Sequence, residues 1–150
     1  MTYLSHAVFD TNVFVAALRS RSGASFVILN AIRKGLISGA VSQALFLEYV
    51  DVLGRQSNLD NFYASTDDIE AVLGVIASQF TPVPIYYRWR PQLSDPDDEM
   101  VLECAANASA KFIITFNKKD FLPAATRFGI EILSPREFIR ELNLVEKLKQ

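Results

Sequence analysis

The sequence predicts an α/β fold with a mostly parallel sheet of four to five strands, covered by helices on both faces. Short apolar runs alternate along the chain with segments of helical spacing, which is the pattern of parallel strands joined by helices. The 150 residues, half of them apolar, suffice for one core and are too few for two ordinary domains. No linker or internal repeat divides the chain, so we expect a single domain over residues 1–150.

Residue types that are rare in this chain exclude several kinds of site. Cys104 is the only cysteine and His6 the only histidine, which argues against disulfides, zinc sites and most Ser-His-Asp triads. The net charge of -2 gives no overall attraction to nucleic acid or membrane. The sequence has neither a secretory signal nor a run of about 18–20 apolar residues. We therefore expect a cytoplasmic protein without a membrane span.

The first elements follow from an apolar run and two helix signals. Residues 6–9 (HAVF) read as a strand ending at Asp10, and residues 12–18 have the apolar spacing of a helix. Ser22 is a suitable N-cap for a second helix, which Gly35 would end in the left-handed conformation. Asp10 is thereby predicted to lie at the junction of a strand and a helix.

The middle of the chain is predicted to continue in the same alternation. Residues 36–41 read as a strand, and a third helix runs from its N-cap Ser42 to Gly54. Residues 55–65 look irregular. Thr66 then opens a fourth helix, whose acidic first turn complements the helix dipole.

The last third of the chain carries its own start and stop signals. The prolines of residues 81–84 (TPVP) end the fourth helix, and they reduce residues 83–87 to an edge strand or an extended segment. Asp95 is the N-cap of a helix with Pro96 at its first position. Residues 111–115 and 131–133 are predicted to be strands, and a weak helix at residues 122–125 lies between them. A capping box formed by Ser134 and Glu137 opens the final helix.

Acidic side chains stand where parallel strands are predicted to end. Asp10 follows the first strand, Glu48 lies in the helix after the second, Asp98 in the helix before the 111–115 strand, and Asp120 follows that strand. Ligands of such sheets bind outside the carboxyl ends of the strands. Converging carboxylates repel one another unless a cation is present, and Mg²⁺ is the cation that prefers such oxygen ligands. This pattern favours metal-assisted phosphodiester chemistry.

Each of these acids also has a simpler interpretation. Asp97 and Glu99 are interpreted as solvated residues of a helix's first turn, and Asp95 mainly as a helix cap. In isolation, Glu48 would be a surface residue and Asp120 a turn residue or cap. Only the ordered combination of acids points to one site.

Five blocks of this sequence resemble the PIN-domain family, in particular the VapC-like ribonuclease toxins of prokaryotic toxin-antitoxin pairs. The blocks are FDTNVFVAAL at 9–18, EYVDVL at 48–53, DPDDEMVLECA at 95–105, TFNKKDF at 115–121 and FGIEILSPREFI at 128–139. The resemblance implies a three-layer α/β/α sandwich, an endoribonuclease dependent on Mg²⁺ or Mn²⁺, and a cognate antitoxin as partner.

The resemblance also assigns roles to individual residues. The family's four acidic positions fall on Asp10, Glu48, Asp98 and Asp120, and its supporting polar groups on Asn12, Thr115 and Asn117. Asp10 and Asp98 are the expected direct ligands, Asp120 binds the metal or its waters, and Glu48 orients or deprotonates the attacking water.

One position departs from the family pattern, and one choice stays open. Many relatives carry a further Asp where this chain has Asn117, so we expect one firmly bound metal rather than two. The sequence leaves open whether Asp95 or Asp98 points inward.

Local basic and aromatic residues are candidates for partner contacts. Lys118 and Lys119 flank the fourth block and are candidate RNA phosphate contacts. Arg88-Trp89-Arg90 has the basic and aromatic alternation of single-strand binders, although we interpret it mainly as a solvated edge with one packed Trp. The eleven phenylalanines fit either a well-filled core or an apolar surface for the expected homodimer or a partner helix.

Two rival functions remain at this point. A haloacid-dehalogenase-like phosphatase also places a nucleophilic Asp after its first strand, but that family needs a second Asp where this chain has Asn12. A catalytically weak module with the same fold, binding RNA or protein, is the other rival. Measured magnesium binding would separate this module from the nuclease.

Overall fold

The computed structural model describes residues 7–88 and 92–143. The described strands are short: β1 (Ala7–Phe9), β2 (Ala40–Val41), β3 (Thr81–Pro82), β4 (Phe112–Ile114) and β5 (Glu131–Leu133). The helices in chain order are α1 (Thr11–Arg19), α2 (Ala24–Arg33), α3 (Gln43–Leu53), α4 (Gln56–Leu59), α5 (Thr66–Gln79), α6 (Pro96–Ala108), α7 (Ala124–Arg127) and α8 (Pro135–Leu142). His6 and the charged C-terminal tail lie outside the described residues.

The strands pair only in parallel, in two hydrogen-bonded groups within the described ranges. One group has the order β1-β4-β5 and the other pairs β2 with β3. Gly39 brings β2 alongside β1, because a Cβ atom built on Gly39 would come within 2.8 Å of the Ala7 carbonyl oxygen. The mostly parallel α/β fold is confirmed, with its five strands divided between these two groups.

Both faces of the sheet are covered. Successive residues of a strand point to opposite faces, and every residue of β1 and β4 is buried. Helix α6 packs against β1, β2 and β4, whereas α8 packs against β5. The predicted three-layer arrangement therefore follows from the burial of the central strands.

Aromatic rings fill the centre of the core. Phe9 contacts the rings of Phe14, Phe80 and Phe138 at centroid distances of 5.7–5.9 Å. Phe14 in turn meets Tyr49 edge-on at 5.0 Å. Burying a side chain of this size contributes roughly 1.5–3 kcal/mol to folding. Because Phe9 immediately precedes Asp10, this packing fixes the end of β1.

Most helix signals in the sequence act as predicted. Ser42 and Ser134 cap α3 and α8 with their side chains, Asp95 caps α6, and Gly35 adopts a φ of +74° after α2. The predicted cap of α2 is wrong, because the helix starts at Ala24 after Gly23 rather than after Ser22.

Three predicted boundaries of the middle region differ from the structure. The second strand is confined to Ala40–Val41, and residues 55–65 contain the short helix α4. The edge strand lies at Thr81–Pro82, two residues before its predicted start. Thr81 donates its N–H to the Gly39 carbonyl oxygen and Val83 donates its N–H to the Val41 carbonyl oxygen, so the intervening proline removes a donor only from the outer side of the strand.

Candidate active site

Asp10 lies where β1 and β4 end side by side. Its backbone N–H donates to the Ile114 carbonyl oxygen at 2.9 Å, which continues the β1–β4 ladder by one residue. The Asp10 side chain is buried and occupies the N-cap position of α1 without making a capping hydrogen bond. The backbone N–H groups of Thr11 and Asn12 nevertheless lie close enough to lower the pKa of this carboxyl.

A threonine on the neighbouring strand holds this carboxylate. Thr115 Oγ1 donates to Asp10 Oδ2 at 2.7 Å, and it accepts the Asn117 N–H at 3.0 Å. Since Thr115 is fully buried, its only hydroxyl hydrogen is committed to Asp10. Burial raises the pKa of Asp10, and the hydrogen bond from Thr115 partly offsets that rise.

Of the two candidate ligands Asp95 and Asp98, Asp98 is the buried one. Asp98 lies in the first turn and is 9% exposed, while Asp95 is exposed and accepts the Asp97 N–H at 2.9 Å as a helix cap. Burial, together with the smaller effects of the neighbouring acids, raises the pKa of Asp98 to about 7. These acids are Asp10, Asp95, Asp120 and Asp97.

Asp120 approaches the same place from the β4 side. It ends a 3₁₀ turn over Lys118–Asp120 and is exposed to solvent. Its negative charge raises the pKa of both Asp10 and Asp98. Three predicted acids from distant parts of the sequence therefore lie within electrostatic range of one another.

Glu48 stands at the border of this acidic group, half-buried on α3. Burial is the first cause that raises its pKa, followed by the charge of Asp97, and Asp10 adds a smaller effect in the same direction. Arg55 lowers the pKa of Glu48 but pairs directly with Asp51 at 2.7 Å. Glu48 is therefore within electrostatic range of acids on both α6 and the end of β1.

The carboxylates of the acidic group suit a hard divalent cation, although they are not arranged as a complete coordination site. Carboxylate oxygens of Asp10, Asp98 and Asp120 are the ligand type that Mg²⁺ and Mn²⁺ prefer, and their mutual repulsion is relieved by positive charge. Within residues 7–88 and 92–143, no three acidic, histidine or cysteine side chains already form a metal-binding cluster.

The supporting polar residues have different environments. Asn12 Oδ1 accepts the Phe116 N–H at 3.5 Å, and the exposed Asn117 contributes its backbone N–H to Thr115. Lys118 Nζ pairs with Glu137 at 2.8 Å, whereas Lys119 is exposed. Of the two candidate RNA contacts, Lys118 already has an acidic partner.

Three further predictions concern residues away from the acids: RNA binding by the Arg88-Trp89-Arg90 segment, an apolar surface rich in phenylalanine, and the absence of a membrane span. Arg88 is exposed, and Trp89 and Arg90 lie outside the described residues. Of the phenylalanines, Phe14 and Phe138 belong to the core. Phe116 is half exposed next to Thr115. The helices of the described residues include none long and apolar enough to cross a membrane.

Sequence reasoning missed two contacts that shape the site. The buried Tyr49 hydroxyl donates to the Phe9 carbonyl oxygen and so ties α3 to the end of β1. Glu99 is not the solvated residue we predicted, because it is buried and accepts the N–H groups of Gln92 and Leu93 at 2.6 and 2.7 Å. No local signal distinguishes Glu99 from the exposed Asp97 in the same turn.

Comparison with known proteins agrees with this geometry. The family model described as a PIN domain matches residues 6–119. The match includes Asp10, Glu48 and Asp98 and ends one residue before Asp120. No curated protein matches the chain.

Proposed function

Because this chain belongs to the PIN-domain family, whose members are generally nucleases, we propose that it is an endoribonuclease dependent on a divalent metal. The reaction is hydrolysis of RNA phosphodiester bonds, with Mg²⁺ or Mn²⁺ as cofactor. The observation that carries the proposal is the acidic group of Asp10, Asp98 and Asp120 at the carboxyl end of the sheet. Family membership argues against the phosphatase alternative.

The acids divide into metal ligands and a base. Asp10 and Asp98 would hold the metal directly, and the exposed Asp120 would bind it or its waters. A bound metal would lower the pKa of a coordinated water and stabilise negative charge at the phosphate. The raised pKa of Glu48 makes it a stronger base than an ordinary carboxylate, which suits it to accept a proton from the attacking water.

The remaining polar groups position these acids and the RNA. Thr115 fixes the orientation of the Asp10 carboxylate through its hydrogen bond. Asn12 and Asn117 offer uncharged polar groups at the rim of the site. The exposed Lys119 supplies positive charge for phosphate, while Lys118 would need to leave Glu137 in order to do so.

Cleavage assays on purified protein test this proposal. We expect Asp10→Asn and Asp98→Asn to abolish cleavage of a single-stranded RNA while retaining the fold, as judged by circular dichroism. EDTA should stop the wild-type reaction, and added Mg²⁺ or Mn²⁺ should restore it. Asp67→Asn is the matched control, since Asp67 is an exposed acid in the first turn of α5. Cleavage by either site variant at the wild-type rate would refute the assignment.

We further propose that the nuclease is the toxin of a toxin-antitoxin pair, acting in the cytoplasm as a homodimer. The resemblance of its motifs to VapC-like toxins supports this role. Expression of the wild type should arrest growth of a bacterial host, and Asp98→Asn should not. A small DNA-binding protein encoded beside this chain should relieve the arrest when coexpressed. Normal growth with an active wild-type enzyme would contradict the toxin role and leave the nuclease proposal intact.

A further inference from the structure

Two consecutive tyrosines are exposed on the segment that precedes α6. Tyr86 is 77% and Tyr87 63% exposed, the two highest values among the exposed large hydrophobic side chains of the described residues. Large aromatic side chains usually lose most of their contact with water on folding. Both tyrosines lie outside the apolar core.

Asn107 fixes the backbone of both tyrosines. Its Oδ1 accepts the N–H groups of Tyr86 and Tyr87 at 3.0 and 3.1 Å. Its Nδ2 donates to the Tyr87 carbonyl oxygen at 3.0 Å and to the Glu103 carbonyl oxygen at 2.8 Å. All the hydrogens of the Asn107 amide are used, so the rings project from a backbone that is already ordered. Ordering before binding lowers the entropy cost of binding.

Helix α6 also holds the described residues just before it, next to the acidic site. Glu99, about two turns before Asn107 on α6, accepts the N–H groups of Gln92 and Leu93. The described parts of the segment are thus anchored near both ends of α6. At about 1.5 Å per residue, Asn107 lies about 14 Å along the helix from Asp98. A bound strand of several nucleotides would cover that distance.

The chemistry of these side chains fits nucleobases. Every base has a face that stacks on an aromatic ring, and single-strand binders combine such rings with basic residues. Arg88, next to the tyrosines, is exposed and can contact phosphate. Glu99 and Glu103 are buried, whereas Tyr86, Tyr87 and Arg88 are exposed.

We propose that Tyr86 and Tyr87 form a base-stacking surface for single-stranded RNA that leads to the acidic site. This inference rests on the proposed ribonuclease function and specifies its substrate as unpaired RNA. The surface contributes to affinity without sequence selection, since stacking tolerates every base. A strand bound there would have to extend about 14 Å along α6 to reach Asp98.

Anisotropy of a fluorescein-labelled 12-nucleotide oligouridylate tests the surface. Titrations are made in EDTA, so that binding is measured without metal-dependent cleavage. The double variant Tyr86→Leu/Tyr87→Leu keeps apolar volume but removes both rings, and we expect its affinity to fall by roughly 10-fold or more. Tyr86→Phe/Tyr87→Phe keeps both rings and should bind within about twofold of wild type, since stacking uses the ring faces.

Further variants keep the test decisive. If the double leucine variant fails to fold, Tyr86→Leu alone is measured, and a several-fold loss is expected. Asn107→Ala leaves both rings present but releases their backbone, so it should also weaken binding.

The outcomes separate this inference from the ribonuclease proposal. Wild-type affinity in a folded leucine variant would overturn the stacking surface, whether or not the enzyme cleaves RNA. A change in self-association in that variant, measured by sedimentation with RNA affinity unchanged, would show a protein contact instead. Conversely, a wild type that binds through the tyrosines but cleaves no RNA with Mg²⁺ or Mn²⁺ would keep the surface and refute the nuclease.

Discussion

Thr115 Oγ1 donates a 2.7 Å hydrogen bond to Asp10 Oδ2 across 105 residues of sequence. The bond joins the residues that directly follow β4 and β1, so it forms only when the two strands lie side by side. The Asn117 N–H occupies a lone pair of the same hydroxyl oxygen. The hydroxyl therefore points its hydrogen at Asp10 and fixes the orientation of that carboxylate.

Removing this hydroxyl should impair activity more than folding. We expect Thr115→Val to lower cleavage by about 10- to 100-fold, the usual cost of losing a group that orients a metal ligand. Thr115→Ser keeps the hydroxyl and is the matched control. The measurement is cleavage rate as a function of Mg²⁺ concentration. Equal rates for the valine and serine variants would show that the hydrogen bond does not support the reaction.

The pKa of Asp98 predicts a stability that depends on pH. Since burial and neighbouring carboxylates raise this pKa from 3.8 to about 7, the folded state binds more protons than the unfolded state between these values. Stability therefore falls as the pH rises through that interval. Asp98→Asn removes the effect and should stabilise the metal-free protein above pH 7, by about 1–4 kcal/mol.

Urea unfolding in EDTA at pH 4, 6 and 8 measures this difference. The gain in the free energy of unfolding should be near zero at pH 4 and largest at pH 8. Asp67→Asn, which changes an exposed acid outside the site, should show no comparable trend. A gain of equal size at every pH would rule out the titration of Asp98 as its cause.

Tyr49 is expected to stabilise the end of β1 through its hydroxyl. Tyr49→Phe leaves the buried Phe9 carbonyl oxygen without this donor, at a cost of about 1–3 kcal/mol. Tyr63→Phe is the control, because its hydroxyl donates to Ala17 from a more exposed position and should cost less. Chemical unfolding of both variants gives the comparison, and a smaller loss in Tyr49→Phe would contradict it.

Two glycines should respond in opposite directions to replacement by alanine. A Cβ atom on Gly39 would meet the Ala7 carbonyl oxygen at 2.8 Å, whereas Gly74 in α5 has no heavy atom within 4 Å of that position. Gly39→Ala should therefore destabilise the fold by about 1–3 kcal/mol. Gly74→Ala should stabilise it by up to about 1 kcal/mol through helix propensity.

Thermal melts measure the change in stability of both variants, and the Gly39 variant reports on how closely β2 approaches β1. A neutral Gly39→Ala would mean that the two strands separate at little cost. A destabilised Gly74→Ala would show that the open space beside α5 is occupied in solution.

Capping chemistry allowed several helix starts to be predicted from the sequence. Ser42, Asp95 and Ser134 each accept backbone N–H groups a few residues ahead, which is a local interaction that the sequence shows directly. Strand limits were less predictable. The second strand covers only Ala40–Val41 instead of the predicted residues 36–41, because strand pairing depends on a neighbour that is distant in sequence.

The acids of α6 show the same limit at the candidate site. Asp97, Asp98 and Glu99 are consecutive and chemically similar, yet their environments differ. Asp97 is exposed, Asp98 is buried within electrostatic range of Asp10, and Glu99 accepts the Gln92 and Leu93 N–H groups. Spacing along the chain does not predict which of these acids is buried at the site, because burial depends on what packs against each side of the helix.

The sequence by itself determined the α/β class, most of the helix starts and the order of the acidic residues, because periodicity and capping act over a few neighbouring residues. Only the tertiary structure decided that Thr115 holds Asp10, that Asp98 rather than Asp95 is buried, and that Tyr86 and Tyr87 stand exposed on an anchored backbone. Those features arise from burial and from contacts between distant segments, which exist only once the strands have paired and α6 has packed onto them.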